Sequence, residues 1–207
     1  MTVIYSDDNV VIADKPAHTD SVKDLPRMLG ADYGTLYPVH RLDVNTTGIV
    51  VLARGTKAKA ELERAFRERA VKKKYIATVI GTPNPRRGTM RNWLVKDGAK
   101  GLVKCYDRPQ TGALEAVTDY EVLRSCDGLS EVALYPETGR THQLRVQLAR
   151  KGTPILGDGK YGNFAENRRR GVKIQMLRAV SLKFVALGGI VNYLSGREFE
   201  VEHEEKR

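Results

Sequence analysis

Cysteine is scarce in this sequence: Cys105 and Cys126 are the only two among 207 residues. They are far apart and belong to no ligand-type cluster, which excludes a zinc module. They read as reduced thiols of a cytoplasmic protein, and spacing alone does not decide whether they could pair. Long apolar runs are also missing, and none approaches the roughly 18 residues that a membrane helix needs. The opening, Met1 to Asp8, lacks the basic start and apolar segment of a signal peptide. No membrane association is expected, and the expected location is the cytoplasm. The chain has no Walker loop, no dinucleotide glycine fingerprint and no His/Cys metal cluster, so neither cofactor nor metal is expected. It shows no internal repeat at solenoid periods. Acidic residues are in deficit, with 25 Asp+Glu against 35 Lys+Arg and a formal net charge of +10. The sequence pI near 9.6 favours a polyanionic partner, RNA or DNA ahead of a membrane.

What is present reads as many short strands with a few helices. Val3–Tyr5 and Val10–Ala13 flank the turn residues Asp7-Asp8-Asn9, and Lys15-Pro16 ends the second run. Asp24 to Leu29 predicts a short helix with Asp24 as N-cap and Gly30 as stop. Ile49–Ala53 has the length and β-branching of a buried strand. Thr56 caps a predicted helix to about Arg69, with Ala58, Leu62, Ala65 and Phe66 on one face. Tyr75 to Ile80 reads as a strand, Thr82 to Gly88 as a loop, Trp93–Val95 as a strand and Lys96 to Gly101 as a turn. Leu114–Leu123 and Ser130–Tyr135 predict a hairpin around Cys126-Asp127-Gly128. Thr141 is the predicted cap of a helix from His142 to Lys151, closed by Gly152, with Leu144 and Leu148 buried. Asn163 to Gly171 reads as a polar loop. A strand is expected within Ile174–Leu187, a return within Ile190–Leu194 after the Gly188-Gly189 turn, and a last strand at Glu198–Val201. This pattern predicts an α+β fold with a mixed, mainly antiparallel sheet and flanking helices.

Four stretches carry chemistry. Asp43 stands in His40-Arg41-Leu42-Asp43, in a loop that enters the Ile49–Ala53 strand, so a rigid element would hold its carboxylate. Lys72, Lys73 and Lys74 form a patch suited to phosphate, and Arg168, Arg169 and Arg170 form another. Arg140 sits near a predicted helix start, where the helix dipole disfavours a cation and an anionic partner is therefore expected.

These residues resemble a known pattern. His40-Arg41-Leu42-Asp43, with Thr47-Gly48 and an apolar strand behind it, resembles the signature of the RluA-type pseudouridine synthases. Lys73-Lys74-Tyr75 opening a strand is similar to the family's second landmark. Thr138-Gly139-Arg140-Thr141-His142-Gln143-Leu144-Arg145, then Gly152 to Asp158 and Tyr161-Gly162, resembles the third. The likeness runs from about Val3 to Val201. It departs at Arg178, where the family usually has His, which puts in doubt only a local packing or RNA contact.

The resemblance implies the pseudouridine synthase fold, with residues 1–201 as one catalytic domain of two packed halves, a central RNA-binding cleft, and a charged tail at 202–207. It implies isomerisation of uridine to pseudouridine in an rRNA or tRNA stem-loop, without cofactor or metal, by a monomer. Asp43 would be the catalytic carboxylate and Arg140 its cationic partner. Tyr75 would stack on the uracil and accept a proton, Leu144 would floor the pocket, and Arg41 would enter the gap left by the extruded base. His40 and His142 are expected as structural hydrogen-bonders. Two other readings are weighed: a non-catalytic RNA-binding or ribosome-assembly protein on the same fold, and a carboxylate hydrolase using Asp158 as second acid.

Overall fold

A computed structural model describes residues 1–99 and 101–202. Lys100, in the predicted 96–101 turn, and His203 to Arg207 of the expected tail lie outside the described residues. Along the chain the elements are β1 (Thr2–Ser6), β2 (Val10–Lys15), α1 (Asp24–Tyr33), β3 (Tyr37–Pro38), β4 (Thr47–Ala53), α2 (Thr56–Arg67) and β5 (Val71–Ile80). There follow β6 (Arg87–Asp97), β7 (Leu102–Tyr106), β8 (Leu114–Cys126), β9 (Leu129–Pro136), α3 (Gln143–Arg150), α4 (Phe164–Arg169), β10 (Leu177–Phe184), a 3₁₀ segment (Gly189–Leu194) and β11 (Glu198–Glu200). This is the mixed α+β architecture that the sequence predicts.

The chain forms two compact units, one of Met1–Lys73 with the chain from Arg178 onward, the other of Lys74–Leu177. In the first unit β2 pairs antiparallel with β1 and β4, and β4 pairs parallel with β10. The β2–β4 register sets Val11 opposite Leu52 and Ala13 opposite Val50, all fully or almost fully buried. Apolar residues on both faces of these strands explain why they read as continuous runs rather than alternations. The buried face of α2, Ala58, Leu62 and Ala65, is the one its 3.6-residue period predicts. In the second unit β5, β9, β8, β6 and β7 form consecutive antiparallel pairs. The β8–β9 turn is made by Asp127 and Gly128, both at positive φ, as a tight hairpin requires.

Several predicted boundaries are corrected. Helix α1 passes through Gly30 and ends at Gly34, at φ 71, because a glycine inside a helix costs only ~1 kcal/mol. Asp24 is its first residue rather than its cap; the cap position is Lys23, which makes no side-chain cap bond, and Asp20 Oδ1 accepts from the Val22 and Lys23 amides in the turn ahead of it. Strand β6 is far longer than Trp93–Val95, since its alternating polar residues face out while Met90, Asn92 and Leu94 are buried. Residues 190–194 form the 3₁₀ segment instead of a strand, with the Val191 amide bonded to Glu61 Oε2. The predicted polar loop at 163–171 contains α4, capped by Asn163 Oδ1 on the Glu166 amide.

Gly48 shows how tightly the first sheet is built. Its φ is +109°, and a Cβ there would lie 2.0 Å from the Ala179 carbonyl oxygen of the parallel neighbour β10. Gly48→Ala is expected to destabilise the protein by more than ~2 kcal/mol, because both backbone strain and a main-chain clash oppose it. Urea unfolding measures this, and a loss below half that value contradicts the packing described.

Candidate active site

In the first unit the segment carrying Asp43 lies between β3 and β4. Asp43 is half-buried and Arg41 is exposed, but the residues on either side of Asp43 are pinned. Leu42 is buried, and its amide and carbonyl both bond to Ser21 Oγ, at 3.1 and 3.0 Å. The Val44 carbonyl accepts from Lys15 Nζ at 3.0 Å and from the Thr19 amide at 3.3 Å. The Thr46 amide closes a turn onto the Asp43 carbonyl at 3.0 Å. The Asp43 side chain is thus carried by a backbone fixed before, at and after it.

Lys15 is the residue that sequence reasoning undervalued. It has 0% exposure, and Nζ donates to the carbonyls of Pro16, Thr19 and Val44. Burial pulls its pKa down to about 8, while the Asp43 and Asp20 carboxylates nearby favour the charged form. The available signal was a lysine closing a strand that opens on four apolar residues, which reads just as well as a strand terminus. Ser21 gave no signal, because its partners are backbone atoms twenty-one residues away.

His40 is structural, as expected. Its Nε2 accepts from the Val51 amide at 2.9 Å, and its ring stacks on Phe66 at 4.3 Å between centroids. Burial, with a smaller push from the Lys73 charge, drives its pKa down to about 3, so it is neutral at physiological pH. Lys73 is itself drawn down to about 8 by burial and by the Arg69 and Lys72 charges. Arg178 bonds Asp14 Oδ2 at 2.7 Å and the Glu202 carbonyl at 3.1 Å, an intramolecular tie in the place of the family's usual His.

Strand β5 opens at Val71, earlier than the sequence predicts, so Tyr75 is half-buried in its middle, where it packs on a buried cluster of the second unit that contains Leu144, Leu148, Val79 and Leu134. The structure therefore brings Tyr75 and Leu144 to one apolar patch. Arg140 is exposed, three residues ahead of α3, and its Nε donates to the Glu115 carbonyl at 3.0 Å. Helix α3 is not capped by Thr141. Gln143 Oε1 instead accepts from the Arg140 amide at 3.0 Å and from Thr138 Oγ1 at 2.7 Å. Gln143 Nε2 donates to the Val117 carbonyl and to Thr118 Oγ1, so all four of its hydrogen-bonding positions are used. His142 sits at φ 53 with Nδ1 2.8 Å from Tyr161 Oη.

Asp158 is no second acid. It is fully buried and held bidentate by Arg145, at 2.7 and 2.9 Å. Burial alone would raise its pKa, but the Arg145 hydrogen bonds and charge, with the Lys160 and Tyr161 amides, hold it below the usual carboxylate range. The arginines at the end of α4, Arg168, Arg169 and the C-cap Arg170, also separate. Arg169 and Arg170 are bound to Glu166, and Arg170 also to Asp127, whereas Arg168 has no carboxylate partner among the described residues. Among those residues no group of His, Cys, Asp and Glu could hold a metal ion, and no helix is long and apolar enough to cross a membrane.

Comparison with known proteins matches residues 8–150 to the family model for RNA pseudouridylate synthase. The dual-specificity RNA pseudouridine synthase RluA of Escherichia coli K12 is 38% identical over 177 residues, covering 79% of this chain and 78% of that protein. Ribosomal large subunit pseudouridine synthase C of Rickettsia conorii is 37% identical over 175 residues, covering 78% of this chain and 56% of its own length. Among solved structures, human RNA pseudouridylate synthase domain containing 4 superposes with a TM-score of 0.78 at 27% identity, covering 97% of this chain and 87% of that one. Human RNA pseudouridylate synthase domain containing 1 gives 0.77 at 28% identity, covering 88% and 78%.

The neutral state of His40 has a consequence for stability. Its folded pKa lies below its unfolded value, so the unfolded chain binds the extra proton as the medium acidifies. The contribution is complete above about pH 6.5 and is lost as pH falls toward 3. Urea unfolding at pH 7 and pH 5 is expected to show a decline, up to ~1.4 kcal/mol per pH unit for one proton, that is shallower in His40→Gln. An equal decline in the two proteins contradicts the assignment.

Proposed function

The chain belongs to the RNA pseudouridylate synthase family and is an isomerase acting on RNA, and we propose that Asp43 is the carboxylate on which its reaction turns. In that reaction the bond between uracil N1 and ribose C1′ breaks, the base turns, and C5 joins C1′. The C5 proton leaves and N1 gains one, so composition and oxidation state are unchanged. Attack on the ribose, attack on the base and removal of a ribose proton all use an ionised carboxylate. The observation that carries the reading is the pinned backbone around Asp43, with Leu42 held by Ser21 and Val44 by Lys15. Reacting groups held in one geometry save the entropy of finding it.

The other assignments follow the family pattern. Tyr75 and Leu144 receive the extruded uracil, and their common apolar patch suits a flat ring. Arg140 supplies the guanidinium matched to the ionised carboxylate. Arg41, exposed two residues before Asp43, fills the gap left in the RNA. Lys72, Lys73, Lys74 and Arg168 contact phosphates. Arg169 and Arg170 contribute positive potential from within their ion pairs, a weaker role than direct contact. A cytoplasmic monomer acting on a stem-loop of rRNA or tRNA is the finer reading; it rests on the resemblance, on the net charge of +10 and on relatives named for dual-specificity and large-subunit activity.

Asp43→Asn is expected to lower turnover by at least ~100-fold while RNA affinity stays within about threefold. Tritium release from RNA labelled at uracil C5, prepared from cells lacking this gene, reads the chemistry, and filter binding reads the affinity. Release by Asp43→Asn at the wild-type rate overturns the assignment. Binding without release by the wild type would favour the non-catalytic binder.

A further inference from the structure

Helix α4 presents an exposed aromatic ring that no step of the reaction uses. Phe164 is 59% exposed, more than any other large hydrophobic side chain among the described residues. It is not on a loose segment. Asn163 caps the helix, and the buried side chain of Asn167 accepts from the Gly157 amide at 2.8 Å and donates to the Asp158 carbonyl at 3.2 Å. Asp158 is in turn clamped by Arg145 of α3. The backbone is close-packed here, since a Cβ on Gly162 would lie 2.2 Å from the Asp158 carbonyl oxygen. A chain of buried polar contacts therefore runs from α3 to α4 and fixes the face that α4 shows to solvent.

That face has a defined composition. Phe164 and Arg168 are four residues apart and so lie one above the other on the helix. Arg169 and Arg170 neutralise Glu166, and Arg170 also bonds Asp127 Oδ2 at 2.8 Å. The two carboxylates nearby are thus satisfied, and among the described residues Arg168 has no carboxylate partner beside the exposed ring. An apolar contact alone would not need a cation placed there. An aromatic face with an adjacent guanidinium is the minimal surface for one nucleotide: the ring stacks on the base and the cation takes the phosphate.

We propose that Phe164 and Arg168 form an auxiliary contact for an unpaired nucleotide of the RNA substrate, outside the group of residues assigned to the reaction. The proposal rests on the reading of the chain as an RNA isomerase. Phe164 supplies sequence-tolerant stacking, and Arg168 supplies one phosphate contact. The contact contributes affinity, and the chemistry at the target uridine does not pass through it.

The test is fluorescence anisotropy of a labelled single-stranded uridine dodecamer with the full chain, titrated between 50 and about 200 mM salt, the range over which phosphate contacts show their slope. Phe164→Ala is expected to weaken binding by roughly 5- to 100-fold with an unchanged salt slope, and Phe164→Tyr to restore it. Arg168→Ala is expected to flatten the slope by about 0.7, the share of one phosphate on a single strand. Both positions are exposed, and thermal melting beside each titration confirms that the variants fold. Wild-type affinity and slope in Phe164→Ala and Arg168→Ala overturn the proposal, as does a dodecamer that the wild type does not bind. Full recovery in Phe164→Leu also overturns it, because a merely apolar surface then suffices and a protein partner fits better. Tritium release by the wild type is read alongside. Release with unaltered variants removes only the α4 contact, whereas altered variants without release remove the isomerase reading and leave the RNA contact.

Discussion

Lys15 places an ammonium at the end of β2, whose first four residues are apolar and buried, and shields it completely from solvent. Burying such a charge is expensive unless its hydrogen bonds are met, and here the carbonyls of Pro16, Thr19 and Val44 meet them. Two of these carbonyls belong to the turn that follows β2 and the third to the residue after Asp43. One cation therefore holds together two loops that the sequence separates by about thirty residues. Ser21, at the end of the same turn, grips Leu42 by both its amide and its carbonyl. Asp43 is suspended between these two attachments, and the buried apolar residues Val10–Ala13 of β2 and Ile49–Ala53 of β4 behind them make the support stiff.

The second unit solves a similar problem with neutral groups. Gln143 and Gln147, one turn apart on α3, are both buried and fully bonded to β6, β8 and the Thr138 hydroxyl. Gln143 also receives the Arg140 amide, so the loop presenting that guanidinium is set by a saturated amide network. Satisfied networks of this kind rigidify, while a single lost partner leaves a buried polar group unpaired. The Arg145–Asp158 pair extends the same logic to α4. The two units thus use different chemistry, a buried cation and a buried amide, to hold loops that carry the candidate reacting groups.

The parts of the fold legible in the sequence were those where one local signal dominates. The apolar runs of β2 and β4, the periodic face of α2 and the Asp127-Gly128 turn were read correctly because burial or turn geometry dictates them. Strand β6 was mostly missed, since its solvent face carries Thr89 and Arg91 and its inner face carries Asn92 and, near its end, Lys96. Helix α4 was missed because six residues are too few to show an apolar period, and its stability comes from Asn167. The candidate reacting residues were visible as a pattern, but their supports were not. Lys15, Ser21 and Gln143 acquire their roles from backbone atoms brought near only by folding. The ion pairs of Arg169 and Arg170 were not legible either: Glu166 pairs with both only because α4 forms, and the second partner of Arg170, Asp127, is over forty residues away.

The central claim is that the buried ammonium of Lys15 holds Asp43 in working geometry. The single-turnover rate of Lys15→Met, taken at a temperature where melting shows the variant folded, tests it most directly. The account predicts a rate at least ~10-fold below wild type, with RNA affinity within about threefold, since small displacements of a reacting group are costly and the RNA surface is untouched. A folded Lys15→Met protein that isomerises uridine at the wild-type rate contradicts it.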